Sequence, residues 1–339
     1  MIRLFDSLVL VTTDVVLRAT NRRLVKKYVR LNGRRPRIAD PRRYAERMLW
    51  RKLINHDPQF VVFSDKLATK EYCRRICPEL ALPPTLWIGT DADAIPDELL
   101  AGDVFVKTNH GYAFNIEIRN GHVNRQEMKE KTDRWMKSVH GREDCQWAYS
   151  QVEPKLFVEQ AIGAAAGDLL EINVRASNGT PILGSVIGHN KMSDMWIVYL
   201  DTAGNPTAGP NDVDSVPGKH PPDGIAISEP YQRAVEFTKR LSVGVDYARF
   251  DFMWNGSDLY AGEITVYPAA GINDIGNASV HAAIIAAWDL SVSHFLTSHH
   301  SGLKGVYANS LRRTIQRRAS ADHLLRGRSS AKVGESREQ

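Results

Sequence analysis

Residues 245–271 read VDYARFDFMWNGSDLYAGEITVYPAAG. Residues 248–254 and 259–266 are apolar runs, and the turn formers Asn255, Gly256, Ser257 and Asp258 between them predict a β-hairpin. Each run carries one carboxylate among apolar neighbours, Asp251 in the first and Glu263 in the second. An ionised carboxylate in a hydrophobic strand is costly unless something pairs with it, and two side by side repel unless a cation lies between them. Mg²⁺ suits that place, because it takes few protein carboxylates and completes its octahedron with water and phosphate oxygens. Arg249 lies two positions before Asp251, on the same strand face, where its fork can hold a phosphoryl oxygen. The same residues also fit a plain Arg249–Asp251 ion pair with Glu263 in solvent at an edge strand, so the rest of the chain decides.

The chain has 339 residues, 43% hydrophobic and 24% charged, which predicts a soluble globular protein of two or three lobes. Its charge is uneven. Residues 1–43 hold twelve Lys/Arg against three Asp/Glu, and residues 301–339 hold nine against three, so a net charge of +5 leaves the body at −10. An acidic body with basic ends is unlike a nucleic-acid-binding domain, and no nucleic acid partner is expected. Such ends suit an anionic membrane surface or an acidic glycan, or plain solvation. Three cysteines, Cys73, Cys77 and Cys145, support neither a disulfide framework nor a four-ligand zinc site, and a reducing cytoplasm is the expected compartment, with peripheral attachment at the inner face of the membrane as a variant. LFDSLVLVTTDVVL, at residues 4–17, is too short and too acidic for a membrane span; it reads as an amphipathic helix that docks on the body or rests on a membrane face.

In chain order, a basic helix ends near Gly33, and residues 44–53 have helical spacing with Met48, Leu49 and Leu53 for one face. Residues 61–63 read as a strand end running into Ser64 as helix N-cap, with Lys66 in the first turn, where its charge opposes the helix dipole and calls for an anionic partner. Residues 85–88 and 103–107 read as strands; the second delivers Lys107 into the loop TNHGYAFN, a candidate phosphate cradle with a single glycine. Ile116–Ile118 and Val123, around Asn120-Gly121, read as a hairpin, and residues 126–139 as a helix. The strand KLFVEQ ends in Glu159 and Gln160 before Ala161, offering backbone groups to a flat heterocycle. Residues 168–174 and 181–187 read as paired strands, 201–227 as a long loop, 229–242 as an amphipathic helix, and the tail from about Arg312 as disordered.

FSDKLATKEYC, FVKTNHG, FVEQ and VDYARFDFMW…YAGEITVYPAAG together resemble the ATP-grasp superfamily, and within it the teichuronopeptide-biosynthesis type (TupA-like), over roughly residues 44–292. The resemblance implies an α+β ATP-grasp fold, two lobes gripping ATP between antiparallel sheets, with a basic helical N-terminal and a disordered C-terminal extension. It divides the chain into an extension (1–43), the first part of the body (44–100), a small lobe with the adenine hinge (101–160), a C-terminal lobe with the Mg²⁺ site (161–300) and a basic tail (301–339). It implies that Lys66 and Lys107 contact ATP phosphates and that the loop with Thr108, Asn109, His110 and Gly111 folds over them. Glu159 would meet the adenine amino group, with Gln160 and Ala161 as the hinge and Asp168 at the ribose hydroxyls. Arg249, with Lys107, would stabilise the transferred phosphoryl group, and Asp251, Glu263 and Thr265 would hold Mg²⁺.

Three departures stand out: Thr265 where much of the superfamily has Asn, Tyr112-Ala113 where a Ser-Gly type of sequence is expected, and Leu169-Leu170 after Asp168 where the narrower family carries a lysine that Lys191 would have to replace. The implied activity is an ATP- and Mg²⁺-dependent carboxylate–amine ligase joining an amino acid to an acidic sugar or glycan in cell-envelope polysaccharide biosynthesis. The alternatives are an ATP-grasp sugar kinase and a non-catalytic glycan- or membrane-binding protein.

Overall fold

The computed structural model describes residues 1–163, 169–190, 192–210, 221 and 224–335, with the side chains of the last helix described to residue 321. Two helices open the chain, α1 (Ile2–Thr20) and α2 (Arg22–Asn32); Gly33 closes the second at φ +66°, a left-handed cap that a Cβ would strain. Helix α3 (Tyr44–Leu53) is started by Glu46, whose carboxylate accepts the backbone N–H groups of Arg42 and Arg43. It is buried on nearly every side, more than the single face of its spacing suggests.

Helices α4 (Pro58–Ser64) and α5 (Lys66–Ile76) follow. Here the expected strand at residues 61–63 is helical. Asp57 caps α4 through the Gln59 N–H with Pro58 at the first position, and that start signal outweighs the strand preference of Val61 and Val62. The cap of α5 is Asp65, accepting from Leu67 and Ala68, rather than Ser64.

The small lobe contains β1 (Thr85–Gly89), α6 (Asp97–Leu100), β2 (Val104–Thr108), β3 (Asn115–Ile118), α7 (Arg125–Met136) and β4 (Leu156–Gln160). Its strands form an antiparallel sheet in the order β1-β4-β2-β3, so β4 is an inner strand. Asn120-Gly121 does turn, both at positive φ, but Val123 belongs to no strand; the chain enters α7 through the Asn124 cap, and among the described residues β3 pairs only with β2. Val104, Val106, Leu156 and Val158 face α7 and its Met128, leaving Phe105, Lys107, Phe157 and Glu159 on the other face.

The large sheet is β7-β6-β5-β8-β9, antiparallel throughout: β5 (Leu170–Ser177), β6 (Thr180–Gly188), β7 (Trp196–Leu200), α8 (Ser228–Leu241), β8 (Ala248–Trp254) and β9 (Leu259–Thr265). Strand β7 is additional to the sequence reading. Ile172, Val174, Phe250 and Phe252 bury against Tyr231, Ala234 and Val235 of α8. Three further helices, α9 (Ala278–Ala287), α10 (His294–Thr297) and α11 (Gly302–Glu335), complete the chain. The stretch Ala278–Thr297 is apolar and long enough to cross a membrane by composition, yet it is divided between α9 and α10, and Ile284, Trp288, Phe295 and Leu296 pack into a core with α3.

The first turns of the region from Arg312 are helical and held in place. Arg313 and Arg317 of α11 both bind Asp6 of α1, and Arg318 binds Asp40. Leu10, Tyr307, Ala308 and Leu311 share a core with the α3 residues, so α1 and the first turns of α11 are packed on each other.

Candidate active site

Strand parity builds the site. On β9, Leu259 and Ala261 face the core, but so do Ile264 and Val266, and regular alternation cannot satisfy both pairs. A β-bulge resolves the conflict: Phe250 pairs with Ile264 and Phe252 with Ala261, so Asp251 faces both Gly262 and Glu263. The strands approach closely there. A Cβ on Gly262 would lie 2.7 Å from the Asp251 carbonyl oxygen. As a result Arg249, Asp251, Glu263 and Thr265 all stand on the face away from α8.

Arg249 binds Asp251 through both fork nitrogens, at 2.7 and 2.6 Å, and the Thr265 hydroxyl donates to the same carboxylate at 3.1 Å. Burial pushes the Asp251 carboxyl above its usual range against the pull of Arg249, and the charge of Glu263 pushes it further the same way. Glu263 is the open member, with 46% of its side chain exposed. Burial works to raise its carboxyl too, but Lys66 foremost, then Arg249 and Lys107, hold it below the usual range. The two acids therefore sense each other, and Glu263 senses lysines from two other elements. Two carboxylates and one hydroxyl, with no third acid, His or Cys gathered among the described residues, are a donor set that fits Mg²⁺ better than zinc.

Lys66 has the anionic partner its position calls for. Its Nζ lies 3.3 Å from Glu263 and donates to the Gly111 carbonyl at 2.6 Å, while its backbone N–H donates to Asn109 at 2.8 Å. Ser64, Lys66, Thr69, Tyr149, Gly262 and Glu263 line one cleft. The loop after β2 is stiff at its base: Thr108 donates to the His110 carbonyl, and Asn109 bonds the backbone of Glu153 and Lys155. All three of its first side chains are buried. Thr108, Asn109 and His110 thus build the loop, and what it presents is the tip from Gly111 (φ +85°) to Ala113 (φ +59°), with Tyr112 exposed. Phe114 anchors the far side by stacking on Trp135 at 5.4 Å.

On the small sheet, Glu159 binds two lysines, Lys107 and Lys70, the latter at 2.5 Å. Lys70 is absent from the sequence reading. One turn after Lys66 on α5, it also donates to the Pro83 carbonyl and Thr85 hydroxyl, at 2.7 and 2.8 Å. Burial pulls its pKa down while Glu159 supports the charge. Lys107 and Lys70 lie over the rings of Phe105 and Phe157, at 4.8 and 5.5 Å. At the hinge, the Gln160 N–H donates to Pro84 and the Ala161 N–H to Asp103, so the two backbone donors expected to be free for a heterocycle are engaged.

Asp168 and Lys191 lie outside the described residues. Glu171, three residues on, is described: it pairs in register with Met253 on β8 and accepts from Asn190 at 2.6 Å. Asn173 pairs with Asp251, and Arg175 with Arg249, so both share the face of the acid pair. Arg175 is partly buried, cross-strand from another guanidinium, and its side chain has no hydrogen bond or ion pair among the described residues. Its only sequence signal was an arginine at the right parity on a strand whose partner was then unknown.

Residues 46–284 match the model of the TupA-like ATPgrasp family. No curated protein matches the chain. Among solved structures, D-alanine–D-alanine ligase from Bacillus anthracis is similar at 18% identity over 67% of this chain and 67% of that one, with a TM-score of 0.37. The ATP-grasp ligase PsnB, complexed with a phosphomimetic variant of its minimal precursor, Mg and ADP, is similar at 14% identity over 72% and 67%, with a TM-score of 0.36. D-Alanine-D-alanine ligase from Helicobacter pylori is similar at 11% identity over 67% and 58%, with a TM-score of 0.38.

Proposed function

The chain belongs to the TupA-like ATP-grasp family, and on that premise we propose that it is an ATP- and Mg²⁺-dependent carboxylate–amine ligase acting on an acidic sugar or glycan and an amino acid in cell-envelope polysaccharide biosynthesis. A substrate carboxylate oxygen takes the γ-phosphoryl group and ADP leaves. An amine nitrogen then bonds to the activated carbonyl carbon, phosphate departs, and the amine's proton goes to solvent or a nearby base.

The observation that carries this reading is that Lys66 bonds both the loop tip at Gly111 and Glu263, one of two hairpin acids of which the other, Asp251, holds Arg249. Phosphoryl transfer needs positioning and neutralised charge more than covalent help from the protein. Lys66 and the loop tip supply donors for phosphate oxygens, and Arg249 supplies a fork for the charge that grows on the transferred group. Asp251, Glu263 and Thr265 would hold Mg²⁺, which when bound neutralises phosphate charge. Arg175, whose side chain has no ion pair among the described residues, supports an anionic substrate. Lys107 and Lys70 hold Glu159 at the adenine end, fixing the strand that leads into the hinge.

The test is phosphate release across pairs of carboxylates and amines, followed by mass analysis of the product, with Glu263→Gln as control. An amide that forms only with intact Glu263 supports the ligase; a phosphate ester assigns the site to a kinase; no turnover with any pair, together with no ATP binding, assigns the fold to a non-catalytic binding role.

A further inference from the structure

Helix α1 is inside out for a surface helix. Its two acids face the body. Asp6 is shut from solvent by Arg313 and Arg317, and Asp14 accepts the Ile38 and Ala39 N–H groups at 2.6 and 3.1 Å and pairs with Arg18. The outward face is apolar. Leu4, Leu8, Val11 and Val15, spaced four, three and four apart, form one exposed ridge, with Phe5 and Val16 beside it; Leu4 is 77% and Leu8 64% exposed. A helix docked only for stability would turn these side chains in and its acids out, so the observed orientation leaves a continuous apolar face to be covered.

The next helix shows what covers it. Arg22, Lys26 and Arg30, at successive turns of α2, are exposed, and among the described residues none of them has an ion pair. Of the five basic residues of α2, Arg23 is matched by Glu143 and Lys27 by Asp144, which leaves these three, one per turn, as its unmatched row. An apolar ridge followed by a row of free cations complements a bilayer with anionic headgroups. A second copy of the chain would bring two such rows together, and like charges oppose that pairing.

We infer that α1 lies in the interface of an anionic membrane, apolar ridge down, with the α2 cations on lipid headgroups and the Asp6–Arg313–Arg317 cluster fixing the helix in that orientation. This rests on the surface alone and not on the ligase reading.

The full-length protein, without nucleotide, is sedimented with phosphatidylcholine vesicles and with vesicles containing about one third phosphatidylserine, at low and at about 0.15 M salt. The expected result is partition onto the anionic vesicles, weakened by salt and lowered at least about tenfold both by Leu8→Glu with Val11→Glu and by Arg22→Glu with Lys26→Glu and Arg30→Glu. All substituted side chains are exposed, so far-ultraviolet dichroism and melting temperature should stay as in the wild type. Wild-type protein left in the supernatant, or partition indifferent to Leu8→Glu with Val11→Glu, overturns the inference. So does a dimer in light scattering that the same double substitution dissolves, since that would give the ridge to a second copy.

Discussion

Lys66 Nζ stands between the Gly111 carbonyl, at 2.6 Å, and the Glu263 carboxylate, at 3.3 Å, so one ammonium group joins the first turn of α5, the loop tip and the β8–β9 hairpin. A lysine at a helix start opposes the dipole. Here the opposition is offset by a carboxylate from a strand far along the chain, and a second bond from the same ammonium, to Gly111, ties the loop to α5.

Lys66→Met should therefore lower kcat/KM for ATP by about a hundredfold or more, as loss of a phosphoryl clamp does, with Lys66→Arg recovering part of it. The change should also reach the acid limb of stability. Glu263 sits below its ordinary 4.5 in the folded chain. In acid the unfolded chain consequently binds more protons, and the stability Glu263 contributes above 4.5 is lost as pH falls through its folded value. Urea titrations across that window should show a shallower loss in Lys66→Met. A variant with kcat/KM within about threefold of wild type would show that Lys66 organises the loop without touching nucleotide.

Gly262→Ala tests the bulge. The added Cβ would meet the Asp251 backbone oxygen at 2.7 Å, a contact with no flexible side chain to move away. Separating β8 and β9 there should cost about 1–3 kcal/mol in urea unfolding and move Glu263 away from Asp251. ATP turnover should fall further than stability explains, assayed where the variant is still fully folded. Full turnover would show that the bulge serves the core alone.

Much of this site was legible because its signals are local. The turn Asn255–Asp258, the acids on each side of it and Arg249 at matching parity need only the period of a strand, and even the bulge is written in the clash between Ala261 and Ile264. The errors arose where a short-range cue competes with another. Val61-Val62-Phe63 has strand chemistry, but Asp57-Pro58 starts a helix just before it. Lys70 could not be read because its role is created by β4, which brings Glu159 to it from a distant segment. The hold on the first turns of the tail was not legible for a like reason: Arg313 and Arg317 look solvated until Asp6 of α1 is placed against them. Truncation at residue 311 should accordingly release α1 to proteolysis.

Arg175 offers a test of substrate charge. It pairs in register with Arg249, and like charges directly opposite on a sheet destabilise it unless an anion joins them. Arg175→Gln should raise KM for the acidic substrate by about tenfold or more while leaving KM for ATP within about twofold, and should slightly stabilise the ligand-free protein. Equal effects on both constants would place Arg175 on the nucleotide side.

Lys52 gives a pH dependence independent of any ligand. It is 1% exposed, donates to the Ala270 carbonyl, and has its pKa pulled by burial from 10.5 to about 8, with Asp144 opposing the pull. Ala269 and Ala270 hold positive φ in the turn just after β9, so this ammonium fixes a strained piece of backbone. Between pH 8 and 10.5 the unfolded chain keeps the proton that folded Lys52 gives up, so stability must rise with pH across that window. Relative to Lys52→Met, the wild type should gain about 2 kcal/mol in unfolding free energy from pH 8 to pH 10. Tyrosines and cysteines that titrate in the same range are common to both proteins and drop out of the difference. Parallel curves for the two would mean that Lys52 keeps an ordinary pKa in the fold, and that its bond to Ala270 compensates burial in full.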